Sequence, residues 1–418
     1  MRHPEISSRA LLSAACLLAA SFVALAPVRA AERQTVVTLG APRIIDQYEG
    51  TEPDANYQTH HFCGLIKAGN GTLVALYSLR PDAIPPPGTT PRPEFSQFSA
   101  AYRTSTDDGI TWSAQGPIDV GSNKGGTLPD GTVIIPSGAE WSSPHEARCH
   151  IKKSKDGTHW SQDNDARIEF PPDRTLVRPN GGVSLWFYGN VLPLDGRSVV
   201  ATLYSQFADS SQFRSILIRS DDGGHIWRFL SVVAADRPSG HAGFTEPSLV
   251  RLKNGELLCV MRTEYEKDRL MAQCRSSDGG KTWSQPVPPP GIPGVAGADH
   301  DYTTPDGRHG HFDAGNVSPM LALLDNGLLA MAYGRPGQNL AISSDGTGRY
   351  WDKIVEIVPK RDPPSYGTYD VSSDMAGIAP VGRDGLVMVY DIYMYAEKPG
   401  DRPRNTIFAR TIRVCRTK

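Results

Sequence analysis

The chain has 418 residues and a formal net charge of −2, from 43 Lys and Arg against 45 Asp and Glu. This balance excludes the strong basic field that attracts nucleic acid or anionic lipid, so we predict neither as a partner. The 41 Gly and 34 Pro are spread along the chain, and that many breakers favours short strands joined by turns.

Residues 1–30 have the pattern of a secretory signal peptide. A basic start precedes the apolar run Ala10–Ala26, and Val28-Arg29-Ala30 offers small residues for cleavage. We expect cleavage after Ala30, export to the periplasm or the cell exterior, and no membrane span after cleavage, because the run is short for a spanning helix. An uncleaved anchor is the alternative. Residues 31–418 are predicted to form a single domain.

Six cysteines occur, of which Cys16 lies in the predicted signal peptide. The remaining odd number, spread over a long chain, does not form a disulfide framework, and no CxxC motif indicates zinc or redox chemistry. Cys259 and Cys274 fall on predicted neighbouring strands, so a bond between them stays open. We predict no cofactor and no metal, and the sequence does not indicate an oligomeric state.

One short motif recurs, with the form Ser-x-Asp-x-Gly-x-Thr-Trp, called an Asp box. Three close copies and two of altered length are Ser105–Trp112, Ser220–Trp227, Ser276–Trp283, Ser154–Trp160 and Ser343–Trp351. Asp and Ser side chains can close a tight turn onto backbone N–H groups, and Gly supplies a positive φ. We therefore predict structural turns whose Trp packs between neighbouring sheets.

A second repeat consists of two apolar stretches around an Asn-Gly or Asp-Gly turn. Its glycines recur about every sixty residues, at Gly71, Gly131, Gly196, Gly255, Gly327 and Gly385. Six such units predict an all-β, six-bladed β-propeller of four-stranded antiparallel blades. In the fourth unit we expect strands over Ser248–Leu252, Glu256–Arg262 and Leu270–Arg275. We expect Thr35–Ile45 to supply the outer strand of the last blade.

Both kinds of turn should lie on one face of the propeller, so the inner strands begin on the other face. Residues there stand near the central axis, where the inner strands converge. The segments before inner strands are His60-His61, Trp186–Asn190, Thr245-Glu246, Asn316–Ser318 and Ser372–Asp374. Arg80, Arg262 and Arg335 end second strands, and arginines of this kind hold a carboxylate by charge-assisted bonds.

Two carboxylates are candidates for acid–base or nucleophilic chemistry. Glu246 directly precedes Pro247 at an inner-strand start, where a carboxylate without a role is costly. Glu94 ends the first loop on this face, and a solvated loop residue is its alternative reading. The group His300, Asp301, His309, His311 and Asp313 resembles a metal cluster but lies in a long Gly-rich loop. We interpret it as a polar loop from which Asp313 reaches the site.

These motifs resemble the bacterial sialidase and neuraminidase superfamily, whose repeats are also called BNR repeats, over essentially the whole chain after residue 30. The resemblance implies three arginines on a sialic acid carboxylate, a Tyr nucleophile paired with a Glu, and an Asp general acid. Thr245-Glu246-Pro247-Ser248 matches the family's Glu, and Met261-Arg262-Thr263 matches its central arginine. Tyr333-Gly334-Arg335-Pro336 is the candidate for the third arginine.

The chain departs from the family pattern at three positions. His61-Phe62-Cys63 stands where the family has Arg-Ile-Pro, and Arg80 is the candidate substitute. Glu94 or Asp82 stands in for the acid. Ser373 or Asp374 falls at the position of the Tyr nucleophile, with Tyr369 close in sequence.

We therefore predict a glycoside hydrolase that removes a terminal, sialic-acid-like sugar from a glycan. Glu246 would pair with Tyr369 or Asp374, with Glu94 as acid/base and with Arg262, Arg335 and Arg80 on an anionic group. His61 and Asp313 would complete the substrate site. A polysaccharide lyase, with His61 as base and Tyr369 or Tyr393 as acid, is one alternative. A non-catalytic glycan-binding propeller is the other, because fold alone does not establish function.

Overall fold

The computed structural model describes most of the chain. It covers residues 34–49, 60–79, 100–118, 124–161, 164–177, 183–235, 243–263, 271–294, 300–303, 309–312, 315–359 and 372–417. The predicted signal peptide lies outside these ranges. Within them, no helix has the length and apolar character needed to cross a membrane.

The secondary structure of these residues is entirely β. In chain order the strands are β1 Thr35–Leu39, β2 Arg43–Gln47, β3 His61–Lys67, β4 Leu73–Ser78, β5 Ala100–Ser105, β6 Gly116–Ile118, β7 Gly125–Thr127, β8 Val133–Pro136, β9 Ala139–Ser143, β10 Glu146–Ser154, β11 Asn164–Glu169, β12 Val183–Pro193, β13 Val199–Gln206, β14 Phe213–Ser220, β15 Ile226–Ala234, β16 Phe244–Arg251, β17 Leu257–Thr263, β18 Ala272–Ser276, β19 His300–Thr303, β20 His309–Phe312, β21 Val317–Leu323, β22 Leu329–Gly334, β23 Gln338–Ser343, β24 Lys353–Val358, β25 Gly377–Val381, β26 Gly385–Tyr395 and β27 Arg404–Arg416.

Most strands form antiparallel sheets in which chain neighbours pair. β3 to β6 and β21 to β24 each form a four-stranded sheet, β16 to β18 form a three-stranded sheet, and β19 pairs with β20. β25, β26 and β27 form a further sheet, and β1 is its outer strand. The N-terminal segment therefore completes the last sheet, as predicted for Thr35–Ile45.

The region from β7 to β15 differs from the predicted separate blades. β7, β8, β10 and β11 pair as one antiparallel group, and β12 to β15 pair as a second. Parallel pairs between β7 and β12, and between β11 and β15, join the two groups into a closed ring of eight strands, with β9 added on β10 and β12. Unpaired strand edges carry free N–H and C=O groups, so two edges that meet will pair. The fold is all-β and propeller-like.

Each Asp box packs against the preceding group of strands through a glycine. A Cβ on Gly109, Gly157, Gly224, Gly280 or Gly348 would lie 2.2–2.9 Å from a side chain there, respectively Val387, Val74, Ile134, Leu217 and Leu258. The same glycines have positive φ, so Gly meets both a steric and a conformational demand. Because Gly109 of the first repeat contacts Val387 of the last, the sheets follow one another around a closed circle.

All five Asp boxes form the predicted turn. In each, the Ser hydroxyl donates to Asp Oδ1 at 2.8–3.1 Å, and the glycine N–H donates to the Ser hydroxyl at 2.8–3.0 Å. Trp227 and Trp351 are fully buried in the hydrophobic clusters between sheets. The repeated motif is therefore structural.

The Asp boxes and the Gly turns lie on one side of the molecule, as predicted. Asn70, in the turn between β3 and β4, donates to the carbonyl of Asp156 in the second Asp box at 3.4 Å. Gly346 of the fifth Asp box packs against Gly327 of its own repeat. We call this side the turn face. The opposite side, where residues 60–62, 245–246, 316–318 and 372–374 stand, is the loop face.

Asp46 ties β2 to the first sheet and so helps to close the circle. Its carboxylate accepts hydrogen bonds from Tyr77, from Arg103 at 2.9 Å and from Gln115 at 2.7 Å. Burial acts to raise the pKa of Asp46, but the bonds from Arg103 and Tyr77 outweigh it and hold the pKa below its ordinary value. Elsewhere, Cys259 and Cys274 lie opposite each other on β17 and β18 as buried free thiols.

Replacement of Ser220 by Ala tests the Asp-box turn. Ser220 is fully buried, and its loss leaves the N–H of Gly224 without its acceptor. We expect unfolding free energy to fall by about 1–3 kcal/mol, measured by urea unfolding. The exposed Ser142→Ala variant should change it by less than about 0.5 kcal/mol. Equal midpoints for both variants would contradict this role for the motif.

Candidate active site

The inner strands share one irregularity on the loop face. Pairing register shifts near the starts of β3, β16 and β21 and within β12. A residue with φ between 50° and 78° stands at each shift, and another stands three residues before β25; these are Phe62, Gly189, Glu246, Ser318 and Asp374. The left-handed conformation costs about 1–3 kcal/mol for a non-Gly residue, and such strain clusters at functional sites. We call these five residues the bulge residues.

Side chains beside these bulges meet near the axis of the circle. The hydroxyls of Tyr188 on β12 and Ser318 on β21 lie 2.5 Å apart, although the sheet of β16 to β18 stands between theirs in chain order. The Phe62 N–H of the first sheet donates to Ser373 Oγ beside the last at 3.0 Å. The bond between Tyr188 and Ser318 joins sheets that are not neighbours, which requires the region where the inner strands converge. The Phe62 bond joins the first and last sheets, which are neighbours in the circle.

Glu246 is held from two sides at this point. Arg262 Nη1 donates to Oε1 at 3.1 Å, and the N–H of Ser318 donates to Oε2 at 2.7 Å. The Glu246 side chain is 8% exposed and that of Arg262 is 22% exposed, so the pair is accessible mainly from the arginine side. The two residues that best match the family pattern therefore form one ion pair at the axis.

Asp374 and Arg335 form a second, deeper ion pair. Arg335 Nε donates to Asp374 Oδ2 at 2.9 Å, and the side chains are 8% and 0% exposed. Gly334 makes room, because a Cβ there would lie 2.3 Å from the Asp374 Cβ. Asn316 Nδ2 donates to the Arg335 carbonyl at 2.7 Å and fixes the turn that carries the arginine.

His61 lies beside the same region but is fully buried. Its Nδ1 is 3.1 Å from the hydroxyl of Tyr393, which is also buried. Its ring stacks on Phe62 with centroids 3.8 Å apart. The structure thus brings together the His and one of the two Tyr residues named for the lyase alternative.

Two axial residues were not singled out from the sequence: Lys124, and Tyr188 within the predicted segment Trp186–Asn190. Lys124 stands directly before β7 and is 3% exposed, with its ammonium 4.7 Å from the ring centroid of Tyr188. Burial lowers the pKa of Lys124 to about 8, against the attraction of Glu246. Burial, followed by the charge of Glu246, raises the pKa of Tyr188 well above its ordinary value. Lys124 could have been found from the sequence, because it directly precedes an inner strand. Candidate residues in the other repeats were chosen from the same position.

Asp391 on β26 is a third missed residue. It is fully buried and accepts bonds from Ser373 Oγ at 2.5 Å and Ser373 N–H at 2.7 Å. Burial raises the pKa of Asp391 to about 7, although the bonds from Ser373 act to lower it. A carboxylate inside the apolar run Val387–Ile392 is the sequence signal for it. Asp391 fixes Ser373, which accepts from Phe62 and precedes Asp374.

Four predicted site residues, Glu94, Arg80, Asp313 and Tyr369, lie outside the described residues, as does Asp82. Their roles remain predictions. In the polar loop, β19 and β20 form a hairpin with Asp301 opposite His311. Among the residues that the structure describes, no group of three or more His, Cys, Asp or Glu could hold a metal ion.

A cavity of about 760 Å³ follows the axis from below this layer towards the turn face. Six inner strands line it, with residues Leu65, Gly126, Val191, Val250, Leu321 and Ile378. Its lining is mainly apolar, whereas the carboxylates of the two ion pairs, Glu246 and Asp374, each stand four residues nearer the loop face than a lining residue, Val250 and Ile378. The candidate catalytic pairs therefore lie at the loop-face end of the axis, outside the lining of this cavity.

The fold is similar to several solved structures at low sequence identity. A protein of unknown function from Dyadobacter fermentans is 17% identical, with a TM-score of 0.60 over 91% of this chain and 99% of that one. The Hadza microbial sialidase Hz136 is 14% identical, with a TM-score of 0.52 over 87% and 66%. An α-L-arabinanase from Penicillium chrysogenum is 15% identical, with a TM-score of 0.53 over 89% and 98%. No curated protein matches the chain.

A propeller-like all-β chain with Asp-box turns and charged pairs at its axis is a protein of the sialidase-like superfamily. The family model described as "BNR repeat-like domain" matches residues 132–377, which is more than half of the chain. The protein belongs to this BNR repeat-like family. The resemblance seen in the sequence is confirmed at the level of the superfamily.

An Asp391→Asn variant tests the buried carboxylate. Because folding raises the pKa of Asp391 from 3.8 to about 7, its contribution to stability is present below pH 3.8 and is lost as pH rises to 7. We expect the urea midpoint of the wild type, relative to the variant, to fall over this interval. Exposed Asp325→Asn should leave the pH dependence unchanged. Parallel curves for wild type and Asp391→Asn would contradict the burial of a titrating carboxyl.

Proposed function

We propose that this protein is an exported glycoside hydrolase that removes the terminal sugar of a glycan. The main support is Glu246, whose carboxylate is held at the axis by Arg262 and Ser318 on a left-handed backbone. A strained, buried carboxylate costs stability, and its retention suits a role in chemistry. A sialidase and an arabinanase among the solved structures of similar fold add support, since both act on glycans by name.

Glu246 would act at the anomeric carbon, because it accepts bonds and is oriented without being fully enclosed. Asp374 or Tyr369 would be its partner, and Glu94 would protonate the leaving oxygen. In this proposal Arg335 orients the carboxylate of Asp374 for a role as nucleophile or base. His61 and Asp313 would shape the substrate site.

The substrate class depends on which arginines remain for the sugar. An acidic, sialic-acid-like sugar would bind through Arg262, Arg335 and Arg80. The Arg262 side chain is partly exposed and can donate a further hydrogen bond to a sugar. The Arg335 side chain is buried against Asp374. This pairing favours a weaker carboxylate clamp than three open arginines would give, and it brings a neutral terminal sugar into the range of substrates to test.

We further propose six blades. The six inner strands that line one axial cavity support this count. The eight-stranded ring would then be two four-stranded blades whose edges pair, with β9 as an insertion between them.

The decisive variant is Glu246→Gln, which keeps the shape of the side chain and removes the charge. We expect kcat/KM on the best of a panel of chromogenic sialosides, arabinosides and other glycosides to fall by about 10²–10⁴-fold. Glu256→Gln is the matched control, since Glu256 also pairs with an arginine, Arg275 at 3.3 Å, but lies at the turn face. Its activity should equal that of the wild type.

Two outcomes would contradict the proposal. One is wild-type turnover that survives Glu246→Gln undiminished. The other is tight retention of glycans without turnover of any member of the panel, which would assign the protein as a glycan-binding module.

The contact between His61 and Tyr393 favours polysaccharide lyase as a second candidate, with these residues as base and acid. Lyases leave an unsaturated uronate, which absorbs in the ultraviolet. If this candidate holds, polyuronate digests should gain absorbance, and Tyr393→Phe should reduce the rate at least tenfold by removing the acid. Digests without new absorbance would eliminate it.

A further inference from the structure

Trp186 on β12 is an exposed aromatic residue on the loop face. Among the residues that the structure describes, the exposed Phe, Tyr and Trp side chains are Trp186, at 37%, and Tyr350, at 58%. Tyr350 belongs to the fifth Asp box, on the turn face. An indole left open to water beside a candidate active site indicates a surface that a ligand covers, provided that the indole belongs to a larger apolar group.

Trp186 is one of three rings that pack against each other. Its indole stacks on the ring of Tyr204, with centroids 5.3 Å apart and planes 12° apart. Phe213 meets both rings edge-on, at centroid distances of 5.6 Å and 6.1 Å. We call Trp186, Tyr204 and Phe213 the aromatic platform. Because the indole is held by its neighbours before a ligand arrives, binding costs little side-chain freedom.

The aromatic platform lies on the side of its sheet that faces the strand of Glu246. Tyr204 follows Thr202 by two positions on β13, so the two side chains are on the same side of the sheet. Trp186 is the partner of Tyr204 across β12 and β13 and shares that side. The Thr202 hydroxyl lies 2.8 Å from the carbonyl oxygen of Pro247, the residue after Glu246.

The aromatic platform is also joined to the axis through Tyr188. This residue follows Trp186 by two positions, which is about 7 Å along a strand, and its ring centroid is 6.4 Å from that of Tyr204. Its hydroxyl meets that of Ser318, whose N–H donates to Glu246. A continuous series of contacts therefore leads from the candidate catalytic carboxylate outward to the exposed indole.

An amide borders the three rings. Gln206 is the partner of Phe213 across β13 and β14, and it follows Tyr204 by two positions, so it is on the same side of the sheet. A sugar ring has C–H groups on one face and hydroxyls at its edge. An aromatic surface with an amide beside it offers a contact to each of these two kinds of group.

We propose that the aromatic platform binds the second sugar of the substrate, the one next to the terminal sugar, by stacking it on the indole of Trp186. The proposal rests on the proposed function, in which the terminal sugar lies against Glu246 at the axis. The second sugar then extends towards the loop face, where Trp186 stands. The substrate class is therefore an oligosaccharide rather than a simple glycoside.

Trp186→Ala tests this role with two substrates that share one terminal sugar. One is the oligosaccharide that the wild type cleaves best, and the other is the glycosyl fluoride, whose leaving group is too small to reach the platform. We expect kcat/KM on the oligosaccharide to fall about tenfold or more, chiefly through KM, because stacking is lost in ground state and transition state alike. The value for the fluoride should stay unchanged.

Two further variants separate stacking from a general loss of structure. Trp186→Phe keeps a ring and should retain part of the activity on the oligosaccharide. Tyr350→Ala removes an exposed ring on the turn face and should leave both substrates unaffected. Equal losses of Trp186→Ala on both substrates, or no loss on either, would overturn the proposal.

A binding measurement decides the role of the platform without turnover. Glu246→Gln protein, alone and combined with Trp186→Ala or Tyr350→Ala, is applied to an array of oligosaccharides and their terminal monosaccharides. We expect an oligosaccharide whose affinity falls about tenfold or more with Trp186→Ala and stays constant with Tyr350→Ala. If the wild type cleaves no glycoside but the array gives this result, the proposed function fails and the platform stands. Oligosaccharide binding that Trp186→Ala leaves intact, or no binding at all, overturns the platform.

Discussion

In a regularly paired inner strand, alternate side chains point into the interfaces between sheets, where only apolar groups pack well. The bulges at Phe62, Glu246 and Ser318, and the left-handed backbone of Asp374 before β25, break that alternation where the strands come closest. Each break turns backbone or side-chain polar groups towards the axis. The Ser318 N–H then reaches Glu246, and the Phe62 N–H reaches Ser373. The axial site depends on this local departure from regular β structure, because regular strands would close the axis with aliphatic groups, as they do lower down.

The strain of the bulges and the burial of the axial charges are offset at a distance. Asp boxes on the turn face hold neighbouring sheets together through buried Ser hydroxyls and close glycine contacts. Apolar clusters fill the space between the sheets. The last sheet is completed by β1 as its outer strand. Because the sheets form a closed circle, no bulge can relax without moving a neighbouring sheet. A rigid perimeter thus fixes a polar centre, which is the arrangement that oriented catalytic groups require.

The repeats made the fold predictable, because each turn is a local chemical pattern. Asp and Gly at fixed offsets specify the Asp boxes, and their spacing orders the strands. Glu246 and Arg262 were also predictable, since they are placed by a strand start and a strand end. Lys124 and Tyr188 were not singled out because their importance arises from contacts between different repeats, as in the bond of Tyr188 to Ser318. The eight-stranded ring could not be predicted either. It depends on two pairings between strand edges, and these pairings do not change the spacing of the repeated motifs.

The central claim is that the sugar binds at the loop-face end of the axis, against Glu246 and Arg262. A crystal structure of the Glu246→Gln variant, soaked separately with sialic acid and with arabinobiose, tests it most directly. We predict that one of these sugars lies within hydrogen-bond distance of residue 246 and of Arg262. A sugar bound in the cavity towards the turn face, or on the outer strands with the loop-face end holding only water, would contradict the account.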